Sequence, residues 1–480
     1  MRRYLRTDRA ATDPILVIAA IAVSLTLLIG GGFTVAGVIA SAADANAKQD
    51  LNRVAVTESA YANANQTYAS YSSASDATLS STPVGFTPSG RLTVTGAPCG
   101  WVGAATSTTG NVFLRSSATA RTTTDPAAAA IPSCMPSTAV QDVLAAAKVQ
   151  KRAANQVSTI AGSTTAGAAD GVGSAARFNL PFSLTPAADG SMIVADQAGQ
   201  TIRRVAQNGA VTTIAGTGSR GTADGPAATA QFNDPSDVAV DGLGNIYVTD
   251  YGSYTIRKIT PAGLVSTYAG VPGTAGYRDG PAAQAQFAGA YGLTTDLNGN
   301  LYVADGDNRV IRKITTDGTV TTIAGKPGFS GSTDGPVGTG TLSAPRELAF
   351  DPQGNLIIVD KSNRIRRLTP DGALSTVAGD GQPNETDGRG TAASFNTPTG
   401  LAVASDGTIY VSDTYGCTIR RITPSGDVTT IAGTPNISGT TDGPASTARF
   451  RQLRGLALDP AGNLWATDSA NNSIRVVGAP

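Results

Sequence analysis

Asn298-Gly-Asn-Leu-Tyr-Val-Ala-Asp-Gly-Asp-Asn-Arg-Val-Ile-Arg-Lys-Ile-Thr-Thr-Asp-Gly-Thr-Val-Thr-Thr-Ile-Ala-Gly325 holds three short strand-like runs separated by turn chemistry. The runs are Leu301–Ala304, Val310–Ile314 and Val320–Ile323, and a fourth, Tyr291–Thr295, stands just before them. Asn298-Gly299-Asn300 joins the first pair of strands and Thr316-Asp317-Gly318 the last pair, both of them hairpin signals. Moving outward, the closing phrase recurs with its glycine at 162, 216, 270, 325, 379 and 433, at intervals of 54 or 55 residues. The phrase that ends strand two recurs with its aspartate at Asp196, Asp250, Asp305, Asp360, Asp413 and Asp468. Four short antiparallel strands in each repeat of this length make one blade of a β-propeller. Residues 156–480 therefore predict a six-bladed propeller in a mainly β chain. The last repeat stops at Val477 without an outer strand, while Val157-Ser-Thr-Ile-Ala161 precedes the first repeat and carries the outer-strand sequence. That N-terminal strand is expected to complete the sixth blade and close the ring.

The pattern Pro-x-Gly-Leu-Ala-Val, Gly-Asn-Leu-Tyr-Val-Ala-Asp, Asn-x-x-Ile-Arg-Lys resembles that of NHL-repeat propellers. The resemblance covers residues 156–480. It implies a binding platform, and for some members RNA binding. The composition points away from nucleic acid, because 35 basic residues are balanced by 35 acidic ones. There is no histidine, which removes histidine-based triads, His general bases and His-ligated metals.

The N-terminal part is organised differently. Residues 1–13 form a basic segment with Arg2, Arg3, Arg6 and Arg9, followed by an uncharged apolar run over Ile15–Ala40. That run is long enough to span a bilayer, so a transmembrane helix is expected at 14–42 with the N-terminus cytoplasmic and the remainder outside. A secretory signal cleaved near Ala40–Ala42 is the alternative. An amphipathic stalk is expected at 43–72, a small β head at 73–140 and a linker at 141–155. Apolar helix, polar helix and the ending Tyr61-Ala-Asn-Ala-Asn-Gln-Thr-Tyr68 resemble the stalk of type IV pilins and pseudopilins. That resemblance implies a small α+β pilin-like domain and pilin-like filament subunits as partners. A membrane anchor with a plain spacer domain reads the same residues as well. Cys99 and Cys134 fall in the head, and export permits a disulfide between them.

Residues common to all repeats read as scaffold. The six repeat aspartates are expected to accept backbone N–H groups of the loop after strand two. The arginines at 203, 257, 312, 366, 420 and 475 are expected to ion-pair between blades. The Asp-Gly motifs starting at 170, 224, 279, 334, 387 and 442 are followed eight residues after the Asp by phenylalanine, or by Leu342 in the fourth repeat. Such a residue suits an apolar plug beneath a loop.

Residues that differ between repeats read as site. Just before the innermost strand stand Phe182-Ser183, Ser236-Asp237, Tyr291-Gly292, Arg346-Glu347, Thr399-Gly400 and Arg454-Gly455. Asp237, Tyr291, Arg346, Glu347 and Arg454 are thus the candidate ligand-binding residues at the channel mouth. No catalytic constellation and no metal site are expected, and no cofactor is required. Calcium is the metal that two acids would suit in a lactonase-like propeller. The functional expectation is a membrane- or pilus-anchored recognition protein at the cell surface, binding a protein or glycan. A calcium-dependent lactonase-like hydrolase and a structural envelope scaffold are the alternatives.

Overall fold

The computed structural model describes residues 152–478, except 188–189, 242–243, 297, 337 and 460, together with the backbone of four strands nearer the N-terminus. Those four, Tyr71–Ser72, Arg91–Ala97, Gly100–Thr106 and Val112–Ser116, form one antiparallel sheet in chain order. Tyr71 pairs with Val94, so the last two residues of the expected stalk segment belong to this sheet. The expected membrane helix, the rest of the stalk, Cys99 and Cys134 lie outside the described residues. Among the described residues no helix is long and apolar enough to cross a membrane.

Residues 152–478 form six sheets, each of four antiparallel strands, which run in sequence order from the centre outward in the first five. In five of them a two-residue segment, such as Gly225–Pro226, adds a fifth strand at the outer edge. The ring closes as the sequence predicts. In the sixth sheet Ser473–Val477 pairs with Gln156–Gly162, matching Val477 to Val157 and Ile474 to Ala161. Residues of the expected linker join this clasp, since Asn155 donates to the Gly478 carbonyl and Arg152 to the Asn463 side chain.

The second strand is buried along its whole length in five blades, as Met192–Asp196 and Leu356–Asp360 illustrate, because it is covered by a neighbouring blade on both faces; in the third blade Tyr302 is half-buried. Six hydrophobic clusters form, one at each blade-to-blade interface. One joins Ala239 and Tyr247 to Phe287, Leu293 and Val303; another joins Leu453 and Leu464 to Tyr410 and Ile419. The recurring glycine at the end of the outer strand is required by geometry. Gly325 has φ +86°, and a Cβ there would sit 2.2 Å from the Arg309 carbonyl oxygen.

The polar scaffold is built within each blade, where the sequence suggested pairing between blades. Arg203 on strand three is 0% exposed and binds Asp196 at 3.2 Å and Asp170 at 2.7 Å. Its guanidinium lies 5.2 Å above the Phe178 ring, so the expected plug is the floor of a cation site. The same arrangement recurs on Arg257, Arg312, Arg420 and Arg475 over Phe232, Phe287, Phe395 and Phe450, at 5.0–5.3 Å. In the fourth blade Leu342 replaces phenylalanine, and Arg366 stands 3.8 Å from Asp360.

The repeat aspartates also differ from expectation in what they hold. Asp196 accepts the backbone N–H of Asn179 at 2.7 Å, and Asp250 that of Asn233 at 2.7 Å. These donors lie on the loop that enters the blade, not on the loop after strand two. The carboxylate therefore fixes the chain just upstream of the innermost strand.

Two predictions follow from this architecture. Deleting residues 152–162 strips Ser473–Val477 of its partner and lowers the thermal midpoint by about 10 °C or more, at a few degrees per kcal/mol. Arg257→Met leaves Asp250 buried without its cation, and the urea midpoint falls by the equivalent of about 3–5 kcal/mol.

Candidate functional site

The innermost strands start with a β-bulge. Pairing shifts register between Pro235 and Asp237, and between Pro345 and Glu347, so Ser236 and Arg346 are the inserted residues. Phe182 and Thr399 occupy the same place in the first and fifth blades, and Tyr291 and Arg454 fall within the corresponding shifts of the third and sixth. A bulge re-aims side chains, and here it separates two neighbours in sequence. Asp237 and Glu347 line the central channel, whereas Arg346, Tyr291 and Arg454 do not. The five candidate residues thus form two groups.

The first group is the carboxyl pair. Asp237 is 3% exposed, and its Oδ1 accepts the N–H of Val238 at 2.8 Å. Its Oδ2 accepts the N–H of Leu293 in the next blade at 2.5 Å. Ser183 and Glu347 side chains also hydrogen-bond to it. The two acids meet across the third blade, where Gly292 stands. A Cβ at Gly292 would come within 2.3 Å of the Arg346 carbonyl oxygen. Burial, offset by hydrogen bonds from Ser183, Leu293 and Val238, pushes Asp237 up to about 6. Burial first, and then the Asp237 charge, push Glu347 well above the usual carboxylate range. The pair lines a channel of ≈ 240 Å³ whose walls mix threonines, Thr185, Thr294 and Thr295, with apolar residues such as Val240, Ala349, Val403 and Leu458.

The donor set does not fit calcium, which takes 6–8 oxygen ligands. The channel offers only two carboxyl groups, Asp237 and Glu347, beside the hydroxyls of Ser183, Thr185, Thr294 and Thr295; the counterparts of the acids in three other blades are glycines, and Asp237 already accepts backbone N–H groups on both oxygens. Among the described residues no three Asp, Glu, Cys or His side chains gather at one point.

The second group crowns the mouth with cations on aromatic rings. Arg454 lies 4.4 Å over the Phe182 ring, and Arg346 lies 5.8 Å over Tyr291. Phe182 and Tyr291 stack at 6.4 Å across the second blade, where the small Ser236 leaves room. Tyr251, on the loop after strand two, packs 4.9 Å from Tyr291. Burial, and secondarily the charge of Arg346, hold Arg454 below the ordinary guanidinium value. Phe182, Tyr251 and Tyr415 join the site alongside the five candidates. Their signal in the sequence is a large aromatic side chain beside the varied positions.

Sequence reasoning missed the residues that hold the mouth in place. Thr249 Oγ1 accepts the N–H of Asp237 at 2.9 Å and donates to the Tyr291 carbonyl at 2.7 Å. Thr467 does the same between Gly455 and the Phe182 carbonyl, at 2.8 Å each. Ser412 bridges Gly400 and the Arg454 carbonyl. Each hydroxyl locks the bulge of its own blade to the bulge of the next. The signal was a hydroxyl immediately before the repeat aspartate, where other blades carry Ala195, Ala304 and Val359.

The carboxyl pair makes stability depend on pH. Both acids hold a proton more tightly folded than unfolded, so the pair favours folding below the ordinary carboxylate values. That contribution is lost as pH rises through about 6, the raised value of Asp237, and beyond. Glu347→Gln can donate its amide to Asp237 without adding charge. Its thermal midpoint should exceed that of the parent at pH 8 by a few degrees, at a few degrees per kcal/mol. The difference should vanish by about pH 4, near the ordinary carboxylate range.

Comparison with known proteins agrees with this fold. Residues 278–478 match the SMP-30/Gluconolactonase/LRE-like region, and residues 232–259 match the NHL repeat. The chain is 25% identical over 344 residues to Teneurin-3 of Danio rerio, covering 62% of this chain and 12% of the relative. It is 26% identical over 288 residues to NHL repeat-containing protein 2 of Bos taurus, covering 51% of this chain and 38% of the relative. The chain therefore spans well under half the length of the curated relatives it matches. A solved protein of unknown function from Bacteroides thetaiotaomicron superposes with a TM-score of 0.53 at 22% identity, covering 67% of this chain and 75% of that one. An auxiliary nutrient binding protein from Bacteroides ovatus gives 0.52 at 16% identity, covering 80% and 88%. Residues 152–478 are thus a six-bladed β-propeller, with an NHL repeat matched at residues 232–259.

Proposed function

We propose that this protein is a recognition protein of the cell surface, held by its N-terminal apolar segment or in a pilus, whose propeller binds a protein or glycan at the channel mouth. The observation that carries the reading is the departure of the mouth from the repeat. Where the six blades are otherwise alike, the bulge positions hold Phe182, Tyr291, Arg346 and Arg454 beside the small Ser236 and Thr399. Aromatic and arginine side chains at a rigid, concave rim are the residues on which binding energy concentrates. The scaffold arginines need their aspartates for burial, but Arg346 and Arg454 contribute no ion pair to it.

A lactonase-like hydrolase is the second reading. The match of residues 278–478 to a gluconolactonase-like region favours it. The hydrogen bonds that already occupy Asp237 argue against a resident calcium ion in such a hydrolase. Lactone opening by the full-length protein, measured with and without added calcium, separates the two readings.

The test of recognition uses cells that carry the full chain. Protease added to intact cells should remove the propeller, and complete protection would place it inside and overturn the reading. Against a panel of surface glycans and proteins, Tyr251→Ala with Tyr415→Ala should weaken retention about tenfold, as loss of rim aromatics does at binding hot spots. Thr213→Ala on an outer strand should leave it unchanged.

A further inference from the structure

Arg346 and Arg454 share the mouth, and among the described residues neither makes an ion pair or a hydrogen bond. The six strand-three arginines are each held by aspartates, so these two stand apart. Each guanidinium carries five N–H donors in a planar fork. Contact with the Phe182 and Tyr291 rings, at 4.4 and 5.8 Å, positions both groups without using any of those donors. Pre-positioned forks of this kind match a carboxylate in two-point geometry.

The surroundings narrow the ligand further. Tyr415 lies within electrostatic reach of Arg454 and is 57% exposed, which leaves an aromatic side chain accessible to a ligand beside that guanidinium. Four backbone acceptors at the rim are already engaged. The Tyr291, Phe182 and Arg454 carbonyls accept from Thr249, Thr467 and Ser412, and the Leu453 carbonyl accepts from Thr399. An extended peptide would find few backbone acceptors there, whereas a ring with a carboxylate needs only a stacking face and guanidinium donors. Beneath the rim, Asp237 and Glu347 line the channel and resist entry of a second anion, which keeps the ligand's negative charge at the two arginines.

We infer that the mouth binds an acidic saccharide, a sugar ring stacked on Tyr415 with its carboxylate gripped by Arg454 and Arg346. The inference rests on the recognition reading and names its ligand class.

Binding of the purified full-length protein to three immobilised polymers tests it: polygalacturonate, its methyl-esterified form and poly-L-glutamate. Retention on polygalacturonate should fall about tenfold on esterification, as expected when a charge-assisted pair is lost. Arg454→Gln should have the same effect, and Arg346→Gln with Arg454→Gln should bring retention to background. Arg454→Lys should retain part of the binding, because it keeps the charge and loses the fork. Lys326→Gln, on an exposed loop, controls for general charge attraction, and an unchanged thermal midpoint verifies that each variant folds. Equal binding to the esterified polymer, or stronger binding to polyglutamate, would overturn the saccharide assignment and leave recognition standing. Binding unaffected by both arginine substitutions would move the ligand off the two guanidiniums. No retention on any polymer would overturn the inference alone, whereas loss of all ligands from the wider cell-surface panel would overturn recognition as well.

Discussion

Six guanidinium groups taken out of water set the terms for the rest of the propeller. A buried arginine is costly unless its charge is matched and most of its donors are occupied. Arg203 matches its charge with Asp196 and Asp170, engages both terminal nitrogens through them and the carbonyls of Arg177 and Ala169, and lies on the face of Phe178, leaving its Nε without a partner. The partners come from three segments: Asp196 from strand two, Ala169 and Asp170 from the entering loop, and Arg177 and Phe178 from the plug. One side chain therefore draws three pieces of backbone to fixed positions, and the repeat applies that constraint around the ring. Neither side chain of the Arg203–Asp196 pair is exposed, and burial pushes Asp196 up to about 7 against the pull of the Asn179 N–H and Arg203.

The consequence at the centre is a rigid rim. Because each repeat aspartate also holds the N–H of the loop entering its blade, the innermost strand starts from a fixed point. The residue before the strand is left-handed at Leu180, Asp234, Thr397 and Gln452, with φ of 54–59°. The bulge then turns one side chain to the mouth and leaves the next in the channel. Thr249, Ser412 and Thr467 tie successive bulges together. Variation at the bulge therefore changes the surface without disturbing the blade cores, which is the separation of scaffold from site that loops on a rigid frame provide.

The fifth blade shows how the scaffold accommodates change. Glu385 is buried beside Asp413, 3.6 Å from Arg420, and takes a hydrogen bond from Thr418 at 2.9 Å. It fits because Gly416 has no side chain; a Cβ there would overlap its carboxyl group. The charge of Glu385, after burial, raises Asp413 well above the ordinary range. A similar carboxyl contact, built from different positions, occurs in the channel between Asp237 and Glu347. In both places a glycine supplies the space that the pair occupies.

The sequence by itself determined the blade count, the strand order within a blade and the closing strand, because period, turn residues and the displaced Val157–Ala161 are local signals repeated six times. It also marked the mouth, since Arg346, Glu347, Asp237, Tyr291 and Arg454 break the repeat. Only the tertiary structure decided how those five divide. Alternation along a strand cannot say on which side an inserted residue falls, and it is the bulge that parts Arg346 from Glu347. The contact of Asp237 with Glu347 spans a whole blade, so it depends on how closely the inner strands approach at Gly292. The pairing of Arg203 with Asp170 and Asp196 was equally hidden. The spacing of two repeating charges is the same whether they meet within a blade or between blades, and only the path of the entering loop distinguishes the two.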